Sequence, residues 1–253
     1  EDLKYSAREA VELLGNEAIH YIRNVRKDKI YGRDMADQLT RECLRYLYRL
    51  LFMFYIEARP ELGYAPMNSE EYRTGYSLED LRDLEMQPLT EEPSQNGYFI
   101  HDSLRILFRL IFEGFNYKED QAVLAYEERR PVFRLFPLSS HLFDPEKTPL
   151  LNGVKFRNKV WQKVLELLSL SRGSGGRGGR RGRISYAQLG INQLGAVYEG
   201  LLSYSGFFAE KDLYEVKKAG TEVNELDTAF FVSADDFPPY EESERVYNSD
   251  GTF

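Results

Sequence analysis

Residues 34–58 read DMADQLTRECLRYLYRLLFMFYIEA. Met35, Leu39, Cys43, Leu44, Leu47, Leu50, Leu51 and Phe54 recur at intervals near three and four, which places them on one broad face of a helix. Pro60 closes the segment, because the residue before a proline is pushed out of the α region. The other face carries Arg41, Arg45 and Arg49 at four-residue spacing, one vertical row of positive charge. Such a row is either a solvated face paired with neighbouring acids or a ridge that tracks phosphates. Its apolar run, Leu50–Ile56, is far short of the ~20 residues a membrane span needs.

The same periodicity extends in both directions. Ser6 to Arg26 reads as a helix, with Ser6 and Glu9 at capping-box spacing. Residues 62–96 are rich in Pro, Glu, Ser and Tyr and predict an irregular excursion with a short helix at Ser77–Glu85. Tyr98–Phe115 returns to helix, with Ile100, Leu104, Leu107, Phe108 and Ile111 inward and His101 as a surface or capping residue of the first turn. Residues 131–144, interrupted by Pro137, predict an ordered connector across the helices. Val154–Leu170 is amphipathic around Trp161, the one tryptophan, whose default role is a core anchor. Ile184–Phe208 reads as a helix with Gly190, Gly195 and Gly200 at five-residue intervals. Each mid-helix glycine costs roughly 1 kcal/mol against alanine, so the three predict either a close backbone neighbour or a broken helix. Beyond it, 207–217 and 228–233 have β-like composition.

The expected fold is therefore mainly α, a multi-helix domain with a small β element near the C-terminus. The expected boundaries are a helical domain over 1–170, a Gly/Arg-rich flexible linker over 171–183, and a helix pair with a small β segment over 184–253. The chain has 253 residues, 42% of them hydrophobic and 14% aromatic, enough for a sizeable core. The net charge of −8 argues against a surface that coats nucleic acid everywhere, while leaving room for a local basic patch. One cysteine, Cys43, sits in an apolar helix pattern, excludes an internal disulfide framework and fits the cytoplasm. The chain begins at Glu1 without methionine and reads as a fragment of something longer.

The charge is concentrated in SRGSGGRGGRRGR, residues 171–183. Arg172, Arg177, Arg180, Arg181 and Arg183 alternate there with glycines, and no acid is present. The composition buries nothing and lacks the GK[ST] of a phosphate-cradling loop. It is either a solubilising linker or an arm that lies along a nucleic-acid backbone.

Catalytic motifs are incomplete. Asp236-Phe237-Pro238-Pro239-Tyr240 approaches the [DNS]-P-P-[YFW] loop that receives a flipped adenine, but Phe237 separates the acid from the prolines, and a surface turn explains it. Glu215-Val216-Lys217 has the E-x-K form of metal-dependent nucleases without an aspartate from a neighbouring strand. His20, His101 and His141 stand isolated, so no metal site is assigned.

LGAVYEGLL, Leu194–Leu202, resembles the helical segment just before the catalytic domain of large adenine-specific DNA methyltransferases, among them type IIG restriction–modification enzymes and the PglX-like and DISARM methylases of phage defence. Gln38–Gly63, His141–Leu151, Val160–Gly173 and Arg181–Gly220 are similar to the helical region of the same family. The resemblance implies a segment whose catalytic domain follows it, so that S-adenosylmethionine belongs to the full-length parent and no cofactor or catalytic residue to this stretch. It also implies double-stranded DNA, the methyltransferase domain and other defence-system proteins as partners, with no membrane. The expected DNA contacts are Arg172, Arg177, Arg180, Arg181 and Arg183 of the arm and the Arg41, Arg45 and Arg49 row. The competing expectation is a helical protein–protein interaction module that never touches DNA. An independent RGG-type RNA-binding protein is a third, with only one short RGG-like run behind it.

Overall fold

A computed structural model describes residues 2–29, 33–115, 133–171, 182–202, 205–209, 211–222, 229–236 and 240–246. It is mainly helical, and contacts divide the chain into two units, Glu1–Ser205 and Gly206–Phe253. Residues 184–205, grouped by sequence with the C-terminal segment, thus fall in the first unit.

In that unit α1 (Asp2–His20) lies against α2 (Arg33–Glu57), α8 (Asn158–Ser169) and α9 (Ile191–Leu202). It does so through Ala7, Ala10, Leu14 and Ala18, all fully buried. Three alanines in this row keep the interaxial distances short. Ser6 belongs to the same buried face, and the helix starts at Asp2, so Ser6 is not an N-cap. Interior packing overrides the capping-box pattern there. After His20 the helix widens into a π turn, Tyr21–Val25, closed by the Arg26 amide donating to the Tyr21 carbonyl at 3.0 Å.

The long α2 buries Leu47, Leu50, Met53 and Phe54, and ends before Pro60 as its sequence requires. The excursion after it holds more helix than composition predicts. It contains α3 (Glu70–Gly75), α4 (Leu78–Arg82) and α5 (Glu92–Asn96), with Ser69 and Ser77 as side-chain N-caps of the first two. Glu57, at the end of α2, adds a second cap: its carboxylate accepts from the Leu78 and Glu79 amides and the Tyr72 hydroxyl, each at 2.9 Å.

Next come α6 (Phe99–Glu113), α7 (Pro149–Asn152) and α8. Trp161 is fully buried, as a core anchor should be, and His101 is buried beside it. The histidine is therefore not a surface residue. Its ring packs against both Phe156 and Trp161, and Nδ1 accepts from the Phe156 amide at 3.4 Å and the indole N–H at 3.5 Å. Between α1 and α8, Arg157 grips Glu17 with two bonds of 2.6 Å.

Among the described residues, the block at 184–208 is helical only over α9. Residues 184–190 are held in an irregular turn because arginines take their carbonyls: Arg82 donates to Ile184, and Arg59 to Ala187 and Leu189. Tyr186 is buried there, stacked on Phe54 at 4.8 Å. Helix α9 begins just after Gly190. Gly195 faces nothing within 4 Å and Gly200 meets only the Lys4 side chain, so neither marks a close backbone crossing.

The second unit contains an antiparallel pair, β1 (Leu213–Val216) and β2 (Phe230–Ser233), in the register Leu213↔Ser233 to Val216↔Phe230. On the other side of β1, Val216 bridges Arg245. Among the described residues, no helix is long and apolar enough to cross a membrane.

Candidate nucleic-acid interface

The arginine row of α2 is not one open ridge. The end of the connector, His141 to Asp144, lies against it, and its carbonyls engage two of the three guanidinium groups. Arg45 Nη1 donates to the His141 carbonyl at 2.7 Å. Arg49 Nε donates to Leu142 O at 2.7 Å, while Nη2 reaches Asp144 O at 3.1 Å and Thr148 Oγ1 at 3.4 Å. With 3% of its surface exposed, Arg49 is a buried strut rather than a ridge for duplex phosphates. Burial, reinforced by Arg45 and opposed by Tyr46, Asp144 and Glu42, pushes its pKa down to about 10. Arg41 alone in the row is exposed, and it has no hydrogen bond or ion pair among the described residues.

Arg183 is also committed. Nη2 lies 2.7 Å from Asp83 Oδ1 and Nε 3.0 Å from Glu85 Oε1. The Glu85 side chain is buried, so this guanidinium neutralises a carboxylate withdrawn from water. Arg183 also bridges Leu170, Ser171 N–H donates to Gly182 O at 2.8 Å, and Ile184 N–H donates to Ser169 O at 2.7 Å. The chain thus leaves α8 at Ser171 and returns at Gly182 beside it. Residues 172–181, which carry Arg172, Arg177, Arg180 and Arg181, lie outside the described residues. The residues that flank them, Ser171 and Gly182, meet at one hydrogen-bonded point within the first unit. Sequence composition alone does not reveal this closure, which depends on Asp83 and Glu85 a hundred residues away.

Arg41 and Arg45 share a groove of about 590 Å³ between α2 and α9, walled by Leu44, Tyr48, Ile191 and Tyr198. The Tyr48 and Tyr198 rings pack at 4.4 Å, and the Tyr48 hydroxyl donates to the Tyr198 carbonyl at 3.2 Å. The groove is mostly apolar, no acid lines it among the described residues, and Ile191 and Leu202 are strongly exposed at its edge.

Sequence reasoning missed Arg105 and Arg109. They repeat the four-residue spacing of the α2 row on the polar side of α6, and that spacing is the signal that would have found them. Both are exposed without a hydrogen bond or ion pair among the described residues.

Of the catalytic look-alikes, residues 237–239 of the Asp236–Tyr240 stretch lie outside the described residues. Glu215 is in β1 and Lys217 follows it. Among the described residues, no group of three or more His, Cys, Asp or Glu side chains is arranged to hold a metal. Cys43 is buried, and burial raises its thiol pKa far above the reactive range. In comparisons with known proteins, no family model, no curated protein and no solved structure matches the chain.

Proposed function

We propose that this chain is a non-catalytic helical segment of a DNA adenine methyltransferase from a restriction–modification or phage-defence system, and that it contributes duplex-backbone contacts and domain packing. In this reading S-adenosylmethionine is bound by the parent's methyltransferase domain, which is also the segment's packing partner. The observation that carries it is the clipped base of the basic segment. Arg183, locked onto Asp83 and Glu85, fixes both ends of a ten-residue excursion that bears four arginines and no acid. Fixing the ends lowers the ordering cost of the arm, while its glycines let guanidinium groups follow a phosphate backbone. Arg41 offers a further contact. The resemblance of LGAVYEGLL, here α9, supplies the methyltransferase context.

The test is duplex binding by the chain with Arg172, Arg177, Arg180 and Arg181 all changed to Gln. A clear loss of affinity with unchanged melting temperature is the expected result. Equal affinity for both proteins defeats the reading.

The apolar groove between α2 and α9 favours a second reading, docking of another defence-system protein. Its arginine rim and acid-free lining suit an amphipathic segment with acidic flanks. Binding of that kind depends on Ile191 and Leu202 and changes little with salt, unlike phosphate contact.

A further inference from the structure

A second groove, about 490 Å³, is lined by residues of α2, α6 and the connector. Arg49 stands at its back, Arg105 and Arg109 line it one helical turn apart, and Tyr46, Phe108, Phe112 and Phe143 supply aromatic surface. Two acids also line it. Asp102 is paired with Lys155 at 3.2 Å, and Glu113 ends α6. Three guanidinium groups therefore face one ion-paired carboxylate and one exposed one.

Arg49 makes the excess of positive charge costly. Among the described residues its hydrogen bonds go to neutral oxygens, those of Leu142, Asp144 and Thr148, and none goes to a carboxylate. A buried cation with no carboxylate hydrogen-bonded to it is poorly compensated, and an anion entering the groove adds to the support of the more distant Asp144 and Glu42. Behind the groove the rings are fixed: Phe108 packs edge-on against Tyr46 at 5.7 Å and Phe143 at 5.9 Å, with Arg49 over both Tyr46 and Phe108. Phe112 is the half-buried member and the one placed to accept a flat ring. The volume suits a ligand the size of a nucleotide.

We propose that this groove binds a nucleoside phosphate, with the phosphate on Arg105 and Arg109 in front of Arg49 and the base stacked on Phe112. The same chemistry arises from a free nucleotide or from one nucleotide of a single strand. Guanidinium–phosphate pairing and base–aromatic stacking together are how proteins hold either one. The site shares no residue with the arm of the proposed function and stands independently of it.

Isothermal titration calorimetry on the 253-residue chain tests this with ATP, a short oligothymidylate and inorganic phosphate as probes. Saturable binding of ATP or the oligonucleotide is expected, weakened at least about tenfold by Arg105→Gln with Arg109→Gln. Phe112→Leu should weaken ATP or oligonucleotide binding without changing that of phosphate. All three substituted side chains are exposed or half-buried, and circular dichroism verifies that the fold persists. Tighter ATP binding identifies the free nucleotide as the ligand, and tighter oligonucleotide binding identifies the single strand. The four-glutamine arm variant should retain this binding, which separates the site from duplex contact by the arm. Absence of saturable binding of both ATP and the oligonucleotide overturns the proposal, as does undiminished binding by the double arginine variant.

Discussion

Protonation of His101 is disfavoured by its burial and by its hydrogen bonds. The ring is 1% exposed, and its Nδ1 is already the acceptor for the Phe156 amide and the Trp161 indole. A proton on Nδ1 turns that acceptor into a third donor facing two others, while Nε2 is buried without a partner. Burial lowers the pKa from 6.5 to about 4, with the nearby Asp102 opposing and Arg105 and Lys155 reinforcing the shift. A lowered folded-state pKa gives stability that is complete above the unfolded value and lost as pH falls through the folded one. The window is therefore pH 6.5 down to 4, and the shift amounts to about 3 kcal/mol, taking roughly 1.4 kcal/mol per unit. His101→Gln retains an acceptor but does not titrate. The variant should be less stable than the parent at pH 7, and the gap should narrow by about 3 kcal/mol as pH falls to 4. Urea unfolding followed by Trp161 fluorescence reads the gap directly, because the chain has one tryptophan and it touches this histidine. A gap that stays constant with pH would refute the reasoning.

Glu57 titrates with the opposite sign: burial outweighs its three hydrogen bonds and raises its pKa from 4.5 to about 7, so its stability contribution is lost as pH rises across that interval. Glu57→Gln should gain about 3 kcal/mol relative to the parent between pH 4.5 and 7, and a flat difference curve contradicts this. Arg183→Ala strands the buried Glu85 carboxylate; because Arg183 is itself part-exposed, the expected loss is only about 1–3 kcal/mol in chemical denaturation, and Arg183→Lys should recover part of it. Leu50→Ala empties a fully buried position on α2 and should cost about 2–5 kcal/mol, measured by the same unfolding curve with an unchanged denaturant slope.

Long periodic segments were legible because their burial pattern is local. The apolar stripe of α2 and the Pro60 stop locate that helix to within one residue at each end, while α6 ends two residues before its expected end and α8 begins four residues after its expected start. What failed depended on distant partners. Ser6 has the composition of a cap and the position of a core residue, since α1 starts four residues earlier. The turn at 184–190 has helical composition, but Arg59 and Arg82 claim its carbonyls. His101 reads as polar and lies in the interior because Trp161 and Phe156 surround it. The candidate interface divided in the same way. Spacing located the α2 arginines but not the connector that covers two of them, and charge density located the arm but not the acids that clip its base.

The salt dependence of duplex binding tests the central claim most directly. Each phosphate contact steepens the fall of log K against log salt by about 0.9 for B-form DNA. If the arm lies along the backbone, replacing Arg172, Arg177, Arg180 and Arg181 with Gln should flatten the slope by as much as ~3.6 and weaken binding on all duplex sequences alike. An identical slope for the parent and the variant would mean that the clipped basic arm does not touch DNA.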